Sequence, residues 1–209
     1  MSQYFDIHPV NPQPRLIRRA VEILQSGGVI VYPTDSCYAL GCRLDEKTAV
    51  ERIAHIRQTG KDHNFTLVCR DLSEISTYAR VENAAFRLLK AHTPGPYTFI
   101  LRATSEVPKR LQNPRRRTIG IRVPEHPVTQ ALLAELGEPL LSSTLILPGE
   151  DMPMTEPWEI REALERQVDL VIDGGNCGID PTTVVSLEGP LPVVLRRGRG
   201  DTQAFESAA

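Results

Sequence analysis

The sequence predicts a mixed α/β (α+β) fold: a twisted mixed sheet with flanking helices, built as a single domain over residues 1–209. Three observations predict it. Five segments carry the 3.6-residue apolar period of amphipathic helices. Eight short segments are rich in β-branched residues and bounded by turn residues. The two kinds interleave along the chain, and no linker is long or polar enough to divide it.

In chain order, PRLIRRAVEILQSGG (14–28) places Leu16, Ile17, Ala20, Val21 and Leu24 on one helical face, with Pro14 near the start and Gly27-Gly28 at the stop. VIVYP (29–33) is a strand that Pro33 ends. PTDSCYALGC (33–42) follows as a loop offering Thr34, Asp35, Ser36 and Tyr38 at a strand end, where α/β proteins place ligand groups. DEKTAVERIAHIR (45–57) is a helix with Ala49, Ile53 and Ile56 on one face, and FTLVC (65–69) is a strand. VENAAFRLLKAH (81–92) is the third helix, and TPGPYTFIL (93–101) is a rigid Pro-Gly-Pro entry into the strand YTFILR (97–102). TIGIRVP (118–124) is a strand, HPVTQALLAELG (126–137) a helix that stops at Gly137, and LLSSTLIL (140–147) a strand. EPWEIREALERQ (156–167) is the fifth helix, its first turn acidic in keeping with the helix dipole. LVID (170–173), TTVVSL (182–187) and VVLR (193–196) complete the strands.

Composition narrows the function. With 24 Lys and Arg against 26 Asp and Glu the net charge is −2, so attraction to nucleic acid or a membrane surface must come from local patches. The four cysteines, at 37, 42, 69 and 177, lack C-x-x-C spacing and read as reduced thiols in a cytoplasmic protein. The opening MSQYFDIHPVNPQPR has no apolar signal core, and no apolar run approaches the roughly 20 residues of a membrane span. The histidines at 8, 55, 63, 92 and 126 show no metal spacing, so no metal site is expected; His63 stands out for its polar loop just before a strand. Neither a Gly-rich dinucleotide fingerprint nor a Walker loop is present.

Three stretches could carry chemistry. Within TIGIRVP the alternation puts Ile119, Ile121 and Val123 on one face, and Gly120 and Arg122 on the other. Arg122 is then either an outward charge or a fork for a carboxylate or phosphate. LLSSTLILPG (140–149) sets the hydroxyls Ser142, Ser143 and Thr144 directly before three aliphatics, so it reads partly as a ligand-facing strand end and partly as core. The basic runs 109–117 and 195–199 hold Lys109, Arg110, Arg115, Arg116, Arg117, Arg196, Arg197 and Arg199. They are either solvated faces or one basic rim suited to phosphates of a nucleotide or of RNA.

Taken in order, PTDSCYALG, IRQTGKDHNFTL, TPGPYTFIL, IRVPEHP and PLLSSTLILPG, then PTTVVSL and VVLRRG, resemble the YrdC/YciO family, which includes the threonylcarbamoyl-AMP synthases. The resemblance spans residues 14–200 and is closest to the YciO branch, through PTDS and HNFTL. It implies a YrdC-like twisted sheet around a deep, positively charged cavity. It implies chemistry that joins L-threonine, bicarbonate and ATP into threonylcarbamoyl-AMP with release of pyrophosphate, feeding the t6A modification of tRNA. ATP is then a substrate accompanied by Mg2+, and no tightly bound cofactor is expected. Some members are described as binding double-stranded RNA. The resemblance places Thr34 at the substrate amino acid, Arg122 at its carboxylate, Thr182 and Thr183 at the family's Ser-Thr-Val, and Arg196 on the phosphate side. With the local readings, the substrate set is Thr34, Tyr38, Arg122, Ser142, Thr144, Thr182 and Thr183. The nucleotide set is Arg57, His63, Thr144 and Arg196, and the RNA set comprises Lys109, Arg110, Arg115, Arg116, Arg117, Arg197 and Arg199. No residue is assigned the chemical step.

Two family motifs are broken. The K-x-R of the synthases is Arg57-Gln58-Thr59 here, and their S-x-N is Thr144 and Ile146. Ile146 offers no hydrogen-bonding side chain, a loss of about 1–3 kcal/mol if the amide bonded nucleotide. The expectation is reduced or altered synthase activity. The alternatives are a double-stranded RNA-binding or nucleotide-binding protein without synthase activity, and a hydrolase of the threonylcarbamoyl adenylate.

Overall fold

The computed structural model describes residues 1–58 and 65–206. Its strands are β1 (Gln3–Asp6), β2 (Ile30–Tyr32), β3 (Ala39–Arg43), β4 (Thr66–Val68), β5 (Tyr97–Arg102), β6 (Thr118–Arg122), β7 (Leu140–Thr144), β8 (Leu170–Asp173), β9 (Thr183–Ser186) and β10 (Val193–Arg196). Its helices are α1 (Pro14–Gln25), α2 (Lys47–Arg57), α3 (Leu72–Tyr78), α4 (Asn83–His92), α5 (Pro127–Leu136), α6 (Pro157–Leu164) and α7 (Gln203–Glu206). The strands form one mixed sheet in the order β1-β8-β2-β3-β7-β4-β6-β5-β9-β10. The pairs β1/β8, β2/β8, β4/β6 and β5/β9 are parallel, and the rest antiparallel. The predicted mixed α/β layering is therefore the fold.

All five expected helices and all eight expected strands form, with small shifts at their ends. The segment expected as a loop after Pro33 is corrected: its second half is β3, which pairs with β2 on one side and β7 on the other. β1, α3 and α7 are further elements that the periodicity did not predict. The strand expected over 140–147 stops at Thr144, and Leu145 turns into the core with its amide on the Tyr38 carbonyl at 3.0 Å.

Helices cover one face of the sheet fully and the other face only in part. Val29, Val31, Leu40, Leu67, Phe99, Ile121, Leu141 and Val185 point to one side, where apolar faces of α2, α3, α4 and α6 meet them. The alternate residues Ile30, Tyr32, Ala39, Val68, Leu140, Leu170 and Ile172 point to the other side, beneath α1 and α5. β2 is thus apolar without alternation because both of its faces are buried. Past β7 and β4 that second face loses its helices. Its residues there are Thr66, Thr98, Thr118, Gly120, Arg122, Ser142, Thr144, Thr182 and Val184, and they line a cavity instead of a core.

Candidate functional site

The cavity encloses about 670 Å³, within the usual range for a small-ligand site. Its floor is the uncovered sheet face, where the period of two brings a hydroxyl up from β4, β5, β6 and β7 and from Thr182 just before β9. Gly120, in mid-floor, is where depth is made: a Cβ there would come within 3.1 Å of Thr66 Oγ1 and 3.2 Å of the Thr98 methyl. Five arginines line the wall and mouth: Arg57 from the end of α2, Arg115 and Arg116 from the loop before β6, Arg122 from the end of β6, and Arg196 from the end of β10. Among the described residues the lining holds one carboxylate, Glu188, which accepts from Arg116 at 3.4 Å and from Ser186 Oγ at 3.1 Å. The cavity is therefore strongly cationic over a hydroxyl floor, a setting for a polyanion that also carries hydroxyls.

The arginines are held in different ways. Arg57 donates from Nε to Ser143 Oγ at 3.3 Å and from Nη1 to the Ile146 carbonyl, and burial lowers its pKa from the ordinary arginine value. Ile146, whose side chain offers no hydrogen bond, thus serves the site through its backbone. Arg196 donates from Nη2 to the Thr182 carbonyl at 2.9 Å and from Nε to the same oxygen at 3.3 Å. Thr182 Oγ1 in turn pairs with Thr98 Oγ1 at 2.8 Å. Arg122 is paired with Asp35, and its Nη1 donates to Ser36 Oγ at 3.2 Å.

Of the residues expected at the site, Arg57, Arg122, Ser142, Thr144, Thr182 and Arg196 line the cavity together. Three others, Thr34, Tyr38 and Thr183, are not among its lining residues. The Thr34 hydroxyl is used inside its own turn, donating to the Cys37 carbonyl at 2.7 Å and accepting from the Ser36 and Cys37 amides. That turn turns Ser36 and Cys37, rather than Thr34, to the cavity. Tyr38 is fully buried, donating to the Gly175 carbonyl at 2.6 Å and accepting from the Gly174 amide at 3.3 Å. Thr183 Oγ1 donates to the Gly200 carbonyl at 2.6 Å and accepts from the Gly198 amide at 3.0 Å, tying the arginine-bearing loop to β9. His63, Thr59 and Lys61 lie outside the described residues.

The two basic runs do not make one continuous rim. Arg115, Arg116 and Arg196 share the cavity, while Lys109, Arg110, Arg117, Arg197 and Arg199 stand outside its lining. Arg110 donates to the Leu44 and Asp45 carbonyls, and Arg197 is paired with Glu206. The lining threonines missed in the sequence, Thr66, Thr98 and Thr118, carry a legible signal. Each threonine stands at an even spacing from an apolar or glycine partner within a strand that was already expected.

Two consequences can be measured. Tyr38→Phe should lower stability by about 1–3 kcal/mol, since the buried Gly174 amide loses its acceptor, and should leave anion binding in the cavity unchanged. Urea denaturation and calorimetry check the two halves. His126, beside Asp35 at the start of α5, has a buried Nδ1 without a hydrogen-bond partner, and burial pushes its pKa below 6.5. The unfolded chain therefore binds the proton more readily than the folded one. The stability from this neutral ring is fully present above pH 6.5 and is lost as pH falls below it toward the folded value. Thermal midpoints across pH 4.5–8 should drop less on the acid side for His126→Gln than for the parent.

The chain matches the Sua5/YciO/YrdC family model, described as "Telomere recombination", over residues 22–198. It is 60% identical to YciO of Escherichia coli strain K12 over 205 residues, covering 98% of this chain and 100% of that one. The crystal structure of E. coli YciO matches with a TM-score of 0.95 at the same coverage. The threonylcarbamoyl-AMP synthase of Vibrio vulnificus strain YJ016 is 30% identical over 161 residues, 76% of this chain and 86% of that one. The fold of P. abyssi Sua5, crystallised in complex with L-threonine, matches with a TM-score of 0.90 at 23% identity, over 99% of this chain and 61% of that one. Among the described residues no helix is long and apolar enough to cross a membrane, and the four cysteines are free and buried.

Proposed function

The chain belongs to the Sua5/YciO/YrdC family, and we propose that its cavity binds ATP or AMP together with a small threonine-like carboxylate and bicarbonate, as a cytoplasmic relative of the threonylcarbamoyl-AMP synthases with reduced or altered activity. The observation that carries the reading is the convergence of Arg57, Arg115, Arg116, Arg122 and Arg196 over one hydroxyl floor. In this reading Arg57 and Arg196 face the phosphates and stabilise the charge that develops when the α-phosphate is attacked. Thr98, Thr144 and Thr182 offer hydroxyls to the nucleotide or the amino acid. Among the described residues no group of three or more His, Cys, Asp or Glu side chains is placed to hold a metal, so any Mg2+ enters with the triphosphate. The reduced activity has a physical reason: Arg57 spends two of its donors on the end of β7, leaving fewer for a ligand.

The test is pyrophosphate release by purified protein supplied with L-threonine, bicarbonate, ATP and Mg2+, alongside calorimetry with AMP. Slow release that requires all three substrates is expected. AMP binding without release would assign the cavity to nucleotide binding or adenylate breakdown, and no AMP binding would sink the reading. A second reading, weak and sequence-indifferent contact with RNA, is favoured by the exposed Arg115 and Arg116 at the mouth.

A further inference from the structure

Arg122 does not meet the cavity with a free guanidinium. Its Nη2 is paired with Asp35, and the two side chains are 9% and 10% exposed. Its Nη1 is on Ser36, while its Nε is buried and has no hydrogen-bond partner. The second Asp35 oxygen accepts from the Glu125 amide at 2.9 Å. Asp35 therefore occupies a berth built for a carboxylate: an arginine on one oxygen and a backbone N–H on the other. A ligand acid brings the same charge and the same pair of oxygens, and would call on the same donors.

We propose that Asp35, which stands against Arg122 just outside the cavity lining, is a specificity-determining residue: its carboxylate fills the anion position at Arg122, and a ligand carboxylate is admitted there only by exchange with it. The part that concerns the ligand rests on the function proposed above; the berth itself does not. The exchange replaces one carboxylate by another, so Arg122 keeps a counter-charge throughout. What an incoming acid can add is a partner for the idle Nε, because a side-on carboxylate spans Nε and one Nη of a guanidinium together. A neutral amide or hydroxyl brings no charge to replace that of Asp35 and is excluded. Phosphates at Arg57 and Arg196 lie outside the exchange and should bind alike whether or not Asp35 is present.

Formate is the probe for the berth and L-threonine for the exchange. Asp35→Ala empties the berth and leaves Arg122 buried without its counter-charge. Sodium formate should then raise the thermal midpoint of Asp35→Ala saturably, relative to sodium chloride at equal ionic strength, and leave the parent unchanged. In Asp35→Asn, which keeps the shape of the turn, L-threonine should bind about tenfold more tightly than in the parent. Formate that acts on both proteins alike, or on neither, overturns the berth; where Asp35→Ala does not fold, Asp35→Gly takes its place in this arm. Formate rescue without a gain for L-threonine overturns the exchange and leaves a structural ion pair. AMP titration of the parent keeps the two readings apart: a parent that binds no AMP fails the proposed function, and the formate result still judges Asp35.

Discussion

Arg122→Ala should cost the fold about 3–5 kcal/mol, the usual penalty for removing one partner of a buried ion pair, because Asp35 would be left as an uncompensated carboxylate among buried groups. The double variant Arg122→Ala, Asp35→Ala should recover much of that loss, since neither charge then stands alone. Urea midpoints of the parent, both single variants and the double variant close a thermodynamic cycle. Additive losses would show that the pair is not coupled, contrary to the geometry. The double variant should also bind no small acid in the cavity, which separates the energetic role of the pair from its role in recognition.

Arg196→Ala carries the largest expected effect on binding. Its guanidinium lines the cavity and is fixed by donations to the Thr182 carbonyl and hydroxyl, so it meets a phosphate already oriented. AMP and inorganic pyrophosphate should bind about tenfold to a hundredfold more weakly, as expected for lost hydrogen bonds to a charged group. Stability should fall by about 1–3 kcal/mol as well, because the buried Thr182 carbonyl loses both arginine donors. Lys47→Ala, on the exposed start of α2, is the control for a change of net charge and should leave both affinities where they were. Equal losses in the two variants would mean that long-range charge, rather than a placed guanidinium, holds the anion.

What could be read from the sequence follows a physical line. α1 and α5 were legible because Ile17, Val21 and Leu24, and Val128, Leu132 and Leu133, repeat at helical spacing, and that repeat is what buries them. β3 was not legible: Ala39, Leu40, Gly41 and Cys42 lack β-branching, and the strand is held by partners in β2 and β7 rather than by its own preference. β1 is a short edge strand whose partner lies in β8, far along the chain. At the site, arginines and hydroxyls at strand ends pointed to Arg57, Arg122, Thr144, Thr182 and Arg196, which line one cavity. Residue type alone could not tell that the turn consumes the Thr34 hydroxyl, or that Tyr38 and Thr183 lock loops behind the cavity wall. Nor could it show that Asp35 reaches Arg122 across 87 positions.

The strand order has a consequence for how the molecule is made. β1 leaves the ribosome before the other strands, yet its partner β8 ends at Asp173, so well over a hundred further residues must follow before it can pair. The cavity waits longer still, because Thr182 lies just before β9 and Arg196 ends β10. Pairings so remote in sequence raise the cost of loop closure that must be met before contacts form, which slows folding. A nascent chain halted before residue 182 would carry β4, β5, β6 and β7 with their hydroxyl face unroofed and the β9 side of β5 unpaired. Synthesis past residue 182 therefore does two things at once: it covers the exposed edge of β5 with β9 and completes the binding site.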